Sequence, residues 1–211
     1  MSNHHVFGYA SLIHEGIRNS LNLTGKAEIV EELPGVQRVW DPQIPGSKRA
    51  RLNLKADKYA HTNGVVLQVD EAELRLLDGL NKGYARVHLE DHIHGKDNHP
   101  TFQRRGMSST VWIYLPNGNM NPTNQGTAEP GKSAAAPDPN PIVQTYVDQV
   151  VIGALRLGGP HFAYHFVDAT KGWHHPWVNN RTQSIPGAGE VDAVLERIVG
   201  KEFRKRTNLK S

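Results

Sequence analysis

Short apolar runs separated by chain-breaking residues constrain this sequence more than anything else in it. His4–Tyr9 (HHVFGY), Gly64–Val69 (GVVLQV) and Val111–Leu115 (VWIYL) are rich in β-branched and aromatic side chains and read as strands. Weaker strand candidates are Arg51–Leu54 and the pair Glu28–Leu33 and Val36–Trp40, split by the turn pair Pro34-Gly35. Ala85–His94 alternates, with Val87, Leu89 and Ile93 facing one way and His88, Glu90, His92 and His94 the other. Helical periods supply the layer that covers such strands. Leu12, Ile13, Ile17 and Leu21 follow a rough helical spacing behind Ser11, read as a cap. Leu74, Leu77 and Leu80 do so behind an acidic first turn, which suits the helix dipole. The longest helix is predicted over Ile142–Leu157, stopped by Gly158-Gly159-Pro160, with Phe162–Phe166 continuing the core. A last helix covers Val191–Val199 and ends at Gly200. This order predicts an α+β fold, a small mixed β-barrel flanked by helices.

A chain of 211 residues fits a single domain over residues 1–211. Between Pro116 and Pro141 almost nothing is apolar, so 116–141 is expected to be a mobile loop, either functional or inserted. Residues 201–211 form a basic tail, expected to be a frayed and solvated terminus. The 24 Lys and Arg nearly balance 21 Asp and Glu, which leaves no footprint for a nucleic-acid partner. With no cysteine, a disulfide scaffold, a thiolate metal site and a Cys nucleophile are ruled out, and a reducing compartment is suited. No run approaches the length of a membrane span and the N-terminus has no signal-peptide pattern, so a cytoplasmic protein with no membrane partner is expected. The sequence sets no oligomeric state.

Three stretches carry a resemblance. Val6-Phe7-Gly8-Tyr9-Ala10-Ser11-Leu12-Ile13 resembles the V-F-x-Y-G-S-L strand-loop-helix signature of the gamma-glutamylcyclotransferase-like family. Gly64-Val65-Val66, then Leu77-Asp78-Gly79-Leu80-Asn81-Lys82-Gly83-Tyr84-Ala85-Arg86-Val87, is similar to that family's G-V strand, helix and L-D-x-x-E-x-x-Y-x-R-V segment. Tyr146 with Gly153-Ala154, and then Phe166, Thr170 and Gly172-Trp173, is similar to its C-terminal helix and the residues after it. The resemblance spans most of the chain, leaving out 95–141 and the C-terminal tail.

The resemblance implies a small mixed barrel and an enzyme that needs no cofactor and no metal. Its substrate would be a small molecule, a gamma-glutamyl amine or a related amino-acid-like compound. The substrate's own α-amine attacks its γ-carbonyl, releasing 5-oxoproline and a free amine. An α-ammonium is no nucleophile, so a carboxylate must accept its proton and return one to the leaving amine. The loop after the first strand, Gly8, Tyr9, Ala10, Ser11 and Leu12, would bind the substrate through backbone amides at a helix N-terminus. Tyr84 and Tyr146 would line the pocket, although a core aromatic with a satisfied hydroxyl explains each as well.

The family's acid/base Glu aligns with Asn81, and an amide takes no proton near neutral pH. Losing a general base costs about 10²–10⁴-fold in rate. Ala10 stands where the family has Gly, a costly change if that residue needs a positive φ. Glu90 is a weak candidate for a substitute acid, Glu71 and Glu73 are read as first-turn helix acids, and Asp78 as ordering the turn. The expectation is therefore a gamma-glutamylcyclotransferase-like protein, a lyase or acyltransferase if active, with Asn81 at the catalytic position. The alternative is a catalytically silent protein that keeps the pocket for an anionic ligand.

Other constellations have plainer explanations. His88, His92 and His94 share a strand face in a spacing that suits zinc or nickel, but are read as a solvated polar face, with His99 and His174-His175 in loops. No glycine cluster comes after a strand and opens a helix as a nucleotide site requires, and there is no G-x-S-x-G elbow. Trp173 and Trp177 either roof a pocket or close the core.

Overall fold

A computed structural model describes residues 4–43, 47–89, 111–116, 139–183, 185–205 and 207–208. Strand β1 (His4–Gly8) leads through a three-residue 3-10 turn (Ser11–Ile13) into helix α1 (Glu15–Ser20). Then come β2 (Ala27–Asp41), β3 (Arg51–Val69), α2 (Glu71–Leu80), β4 (Tyr84–His88), β5 (Val111–Pro116) and β6 (Ile142–Val143). The chain continues with helix α3 (Gln144–Asp168), β7 (Thr170–Lys171), β8 (Trp177–Asn179), α4 (Ala188–Arg204) and β9 (Thr207–Asn208).

Six strands form one mixed sheet in the order β4-β5-β1-β3-β2-β7, with β1 parallel to β5 and β2 parallel to β7. A second, parallel sheet has the order β6-β8-β9. The closed barrel expected from the sequence is not formed: among the described residues no pairing joins β4 to β7, and β7 has only two residues. The alternation in the strands sorts side chains to two cores as a period of two requires. Val6, Val65, Leu67 and Tyr114 pack with Leu74 and Leu77 of α2, Val147, Val150 and Phe166 of α3, and Leu195 of α4. Their neighbours Phe7, Val66 and Ile113 turn the other way, onto Val30, Leu33, Val36 and Leu54.

Several predicted boundaries are corrected. Pro34-Gly35 does not split two strands. β2 runs through it, with register shifts at Val30/Leu33 and Pro34/Val36, because β3 is long enough to pair both halves. Gly35 absorbs the irregularity at φ +84°, open to glycine without strain. Arg51–Leu54 and Gly64–Val69 are likewise two ends of one strand. Gly158-Gly159-Pro160 kinks α3 instead of stopping it. Gly159 leaves the helix at φ 75°, and Pro160 then falls in the first turn of a second helical run, where a missing N–H costs nothing. The first residues of the basic tail, Lys201–Arg204, are the last turn of α4, whose apolar Val199 and Phe203 are buried. Most of loop 116–141, and His92, His94 and His99, lie outside the described residues. His88 packs edge-on to Trp112 at 4.0 Å, and Trp173 and Trp177 stack within the helix-side core. Among the described residues no helix is long and apolar enough to cross a membrane.

A buried charge pins α3 to the C-terminal part of the chain. Asp148 is fully enclosed and takes hydrogen bonds from Gln144 and from Arg181, whose guanidinium also reaches Asp192 of α4. On the sheet side Arg38 is entirely buried, donating to Asn63, to the Phe166 carbonyl and to Thr170 under the Phe166 ring. No carboxylate pairs with Arg38 among the described residues, and burial lowers its pKa to about 9.

Candidate functional site

Where β1 ends, the backbone must fold back tightly. A Cβ at Gly8 would sit 2.8 Å from Leu12 Cβ and 3.0 Å from Val65, so only glycine lets the next turn close over the sheet. The turn is held by Ile13 N–H donating to the Ala10 carbonyl and His14 N–H to that of Ser11, both at 3.0 Å. Arg18 donates to the carbonyls of Leu12 and Ile13, each at 2.8 Å, which satisfies the turn's exit. From the other side α3 presses Gly153 against the His14 backbone.

Around this turn lies a cavity of about 240 Å³. Its lining brings together Gly8, Tyr9, Ala10, Ser11 and Leu12 with Asn81 at the end of α2, Tyr84 of β4 and Tyr146 of α3. These are eight of the nine residues that the sequence groups as a site. Glu90, the ninth, lies outside the described residues. The wall is completed by Arg51 and Leu52 of β3, Tyr114 of β5, Phe7, Leu21, Leu77 and Leu80.

Two expectations about the loop are corrected. Ser11 does not cap a helix: α1 begins only at Glu15, and neither the turn nor α1 has a side-chain cap. The break comes at His14, whose extended backbone (φ −80°, ψ 117°) separates the turn from the helix. A three-residue turn has little macrodipole, so the helix N-terminus expected as an anion seat is largely absent. Ala10 has φ −136°, so its methyl group causes no left-handed strain.

The polar groups differ in how far they are already used. Tyr9 is committed to structure, its hydroxyl donating to the Tyr114 carbonyl at 2.7 Å, and burial pushes its pKa far up. Tyr114 donates to Asp78 at 2.7 Å, and Asp78 in turn meets Arg86 at 3.2 Å, so this carboxylate is held behind the tyrosine. Tyr146 packs edge-on to Trp40 with the Arg49 guanidinium over its ring at 5.0 Å, and burial pushes its hydroxyl up to about 12. Tyr84 is raised by burial and opposed by Arg51, which is hydrogen-bonded to it.

Asn81 has a structural task. It terminates α2, and its side-chain Nδ2 donates to the Leu77 carbonyl at 2.8 Å, a second hydrogen bond to an acceptor that already takes the Asn81 backbone N–H at 3.0 Å. The amide oxygen and the second Nδ2 N–H are what Asn81 has left to offer. Sequence reasoning missed Arg51, Tyr114 and Arg18. Arg51 sits in a weak strand with no distinguishing spacing, Tyr114 reads as one more strand aromatic, and Arg18 as a helix-surface charge.

No protein-family model and no curated protein matches the sequence. Among solved structures, one described as gamma-glutamyl cyclotransferase is 14% identical over 93% of this chain and 99% of its own, with a TM-score of 0.55. The fold is gamma-glutamyl cyclotransferase-like. A crystal structure of an uncharacterized protein from Homo sapiens is similar to the same degree, at 14% identity, the same coverages and a TM-score of 0.56. At this identity the shared feature is the path of the chain. The chemistry has to be argued from the side chains in the cavity.

Proposed function

We propose that the cavity binds a small carboxylate of the amino-acid type, a gamma-glutamyl amide or a related compound, in a gamma-glutamylcyclotransferase-like protein whose 5-oxoproline-releasing step is slow. The observation that carries this reading is the charge of the lining: Arg51 is its only ionised side chain among the described residues. A guanidinium at a hollow lined by leucine and tyrosine side chains favours a carboxylate, with which it forms charge-assisted and often bidentate hydrogen bonds. Among the described residues the same lining lacks the carboxylate that would take a proton from an α-ammonium. The sequence resemblance aligns Asn81 with the family's acid/base Glu, and an amide cannot do that work.

Serving as a holder of the ligand without turnover is the second reading, favoured by the use of Asn81 as a helix cap. One paired experiment tests both. Equilibrium binding of gamma-glutamyl dipeptides and of glutamate-derived carboxylates is measured on the unmodified protein, together with 5-oxoproline release from the dipeptides. Binding with little or no release is expected. Absence of binding by every such carboxylate overturns the reading. Rapid release shows that another group takes the proton, and Glu90→Gln is then the first variant to assay.

A further inference from the structure

The sheet brings the cavity its guanidinium, Arg51, hydrogen-bonded to Tyr84. The turn and the first two helices bring it leucine: Leu12 of the turn, Leu21 at the end of α1, and Leu77 and Leu80 of α2. These leucines differ in how far the protein covers them. Leu77 is buried in the helix-side core, and Leu12 and Leu21 pack against that core while staying partly open. Leu80 belongs to neither core and is 54% exposed. A spacing of three residues places it on the face of α2 that carries Leu77, so it extends the leucine surface from the core out to solvent. A lone exposed leucine is ordinary. One that shares a concave lining with half-covered leucines holds water that an apolar group would release. Tyr59 and Leu76, the other large apolar side chains exposed among the described residues, lie outside the cavity.

A gamma-glutamyl amide is divided in the same way, into a charged glutamyl half and, beyond the amide bond, the substituent of the leaving amine. Resting on the reading of the cavity as a carboxylate site, we infer that it selects gamma-glutamyl amides whose leaving amine is apolar, with Leu80 as a specificity-determining residue. Arg51 takes a carboxylate of the ligand, and the side chain of the amine covers Leu80 together with Leu12 and Leu21. An aliphatic group there exchanges water for leucine. A polar group of the same size gives up its water and meets no donor or acceptor on those side chains, which is a net cost.

The test compares gamma-L-glutamyl-L-leucine with gamma-L-glutamyl-L-asparagine on the unmodified protein, by titration calorimetry at pH 7.5. The two probes carry the same glutamyl half and the same carboxylates, and their second side chains match in size and differ in polarity. The leucine dipeptide is expected to bind about tenfold or more tightly, the discrimination that a small apolar contact supplies. Equal or tighter binding of the asparagine dipeptide overturns the inference while leaving the carboxylate site intact. If neither dipeptide binds, the carboxylate reading itself fails, and the inference with it. Leu80→Asn removes the exposed apolar surface at a position outside both cores, and circular dichroism checks that the variant is folded. It is expected to reduce the preference to about threefold or less. An unchanged preference in a folded variant overturns the role given to Leu80. The ratio in the unmodified protein decides the matter if the variant does not fold.

Discussion

Introducing a carboxylate with Asn81→Glu sets stability against chemistry. An ionised glutamate side chain cannot donate to the Leu77 carbonyl, which keeps the backbone N–H of residue 81, so the 2.8 Å side-chain hydrogen bond is lost, costing about 0.5–1.5 kcal/mol. The new charge also lies at the C-terminal end of α2, where the helix dipole disfavours an anion by about 0.3–1 kcal/mol. Together these come to about 1–2.5 kcal/mol, and for a chain of this length the midpoint of thermal unfolding falls by about 2–10 °C. Against that loss stands the gain from a general base, about 10²–10⁴-fold in rate. The assay is 5-oxoproline release from a gamma-glutamyl dipeptide, run beside a thermal melt of the same preparation. An unchanged melting midpoint refutes the capping role of Asn81. A folded variant that binds the dipeptide without faster release refutes the idea that the missing base limits the reaction.

The packing supports three other tests. Gly153→Ala places a Cβ 2.8 Å from the N and Cα atoms of His14, backbone that cannot swing away; it is expected to cost about 1–3 kcal/mol in urea denaturation and to weaken gamma-glutamyl dipeptide binding, and a neutral result contradicts the close contact. Arg181→Met leaves the enclosed Asp148 without its cation and is expected to cost about 3–5 kcal/mol by urea denaturation, whereas a loss under about 1 kcal/mol contradicts the burial of that charge. Burial holds the imidazoles of His14, His165 and His175 below the ordinary 6.5, so on acidification the unfolded chain takes up protons before the folded one. Their contribution to stability is complete above pH 6.5 and declines below it, so the urea midpoint is expected to be lower at pH 5.5 than at pH 7.5, and an equal or higher midpoint contradicts this.

Legibility in the sequence depended on whether a signal was local. The alternation in Val65-Val66 and Ile113-Tyr114 is read directly from sequence, because period two fixes the face of each side chain. Helix α2 is equally plain, its bounds set by the Asp70 cap and by Asn81. Pro34-Gly35 misleads because a turn pair and a bulge share the same residues, and only the length of the partner strand decides between them. Gly158-Gly159-Pro160 misleads in the same way, since the apolar Phe162 and Phe166 faces are what carry α3 past its kink. In the cavity, the turn residues and Asn81 can be grouped because motif spacing survives in sequence. Arg51 cannot, because the contact that matters, its hydrogen bond to Tyr84, joins residues with no common pattern. The dual use of Asn81 is likewise invisible until Nδ2 is seen on the Leu77 carbonyl.

The affinity of a gamma-glutamyl dipeptide for the unmodified protein and for Arg51→Gln tests most directly the claim that this hollow is a carboxylate site organised by Arg51. Replacing the guanidinium by an amide removes a charge-assisted hydrogen bond and should weaken binding by about 10- to 100-fold while leaving the urea midpoint nearly unchanged. Equal affinity in the two proteins would contradict the claim.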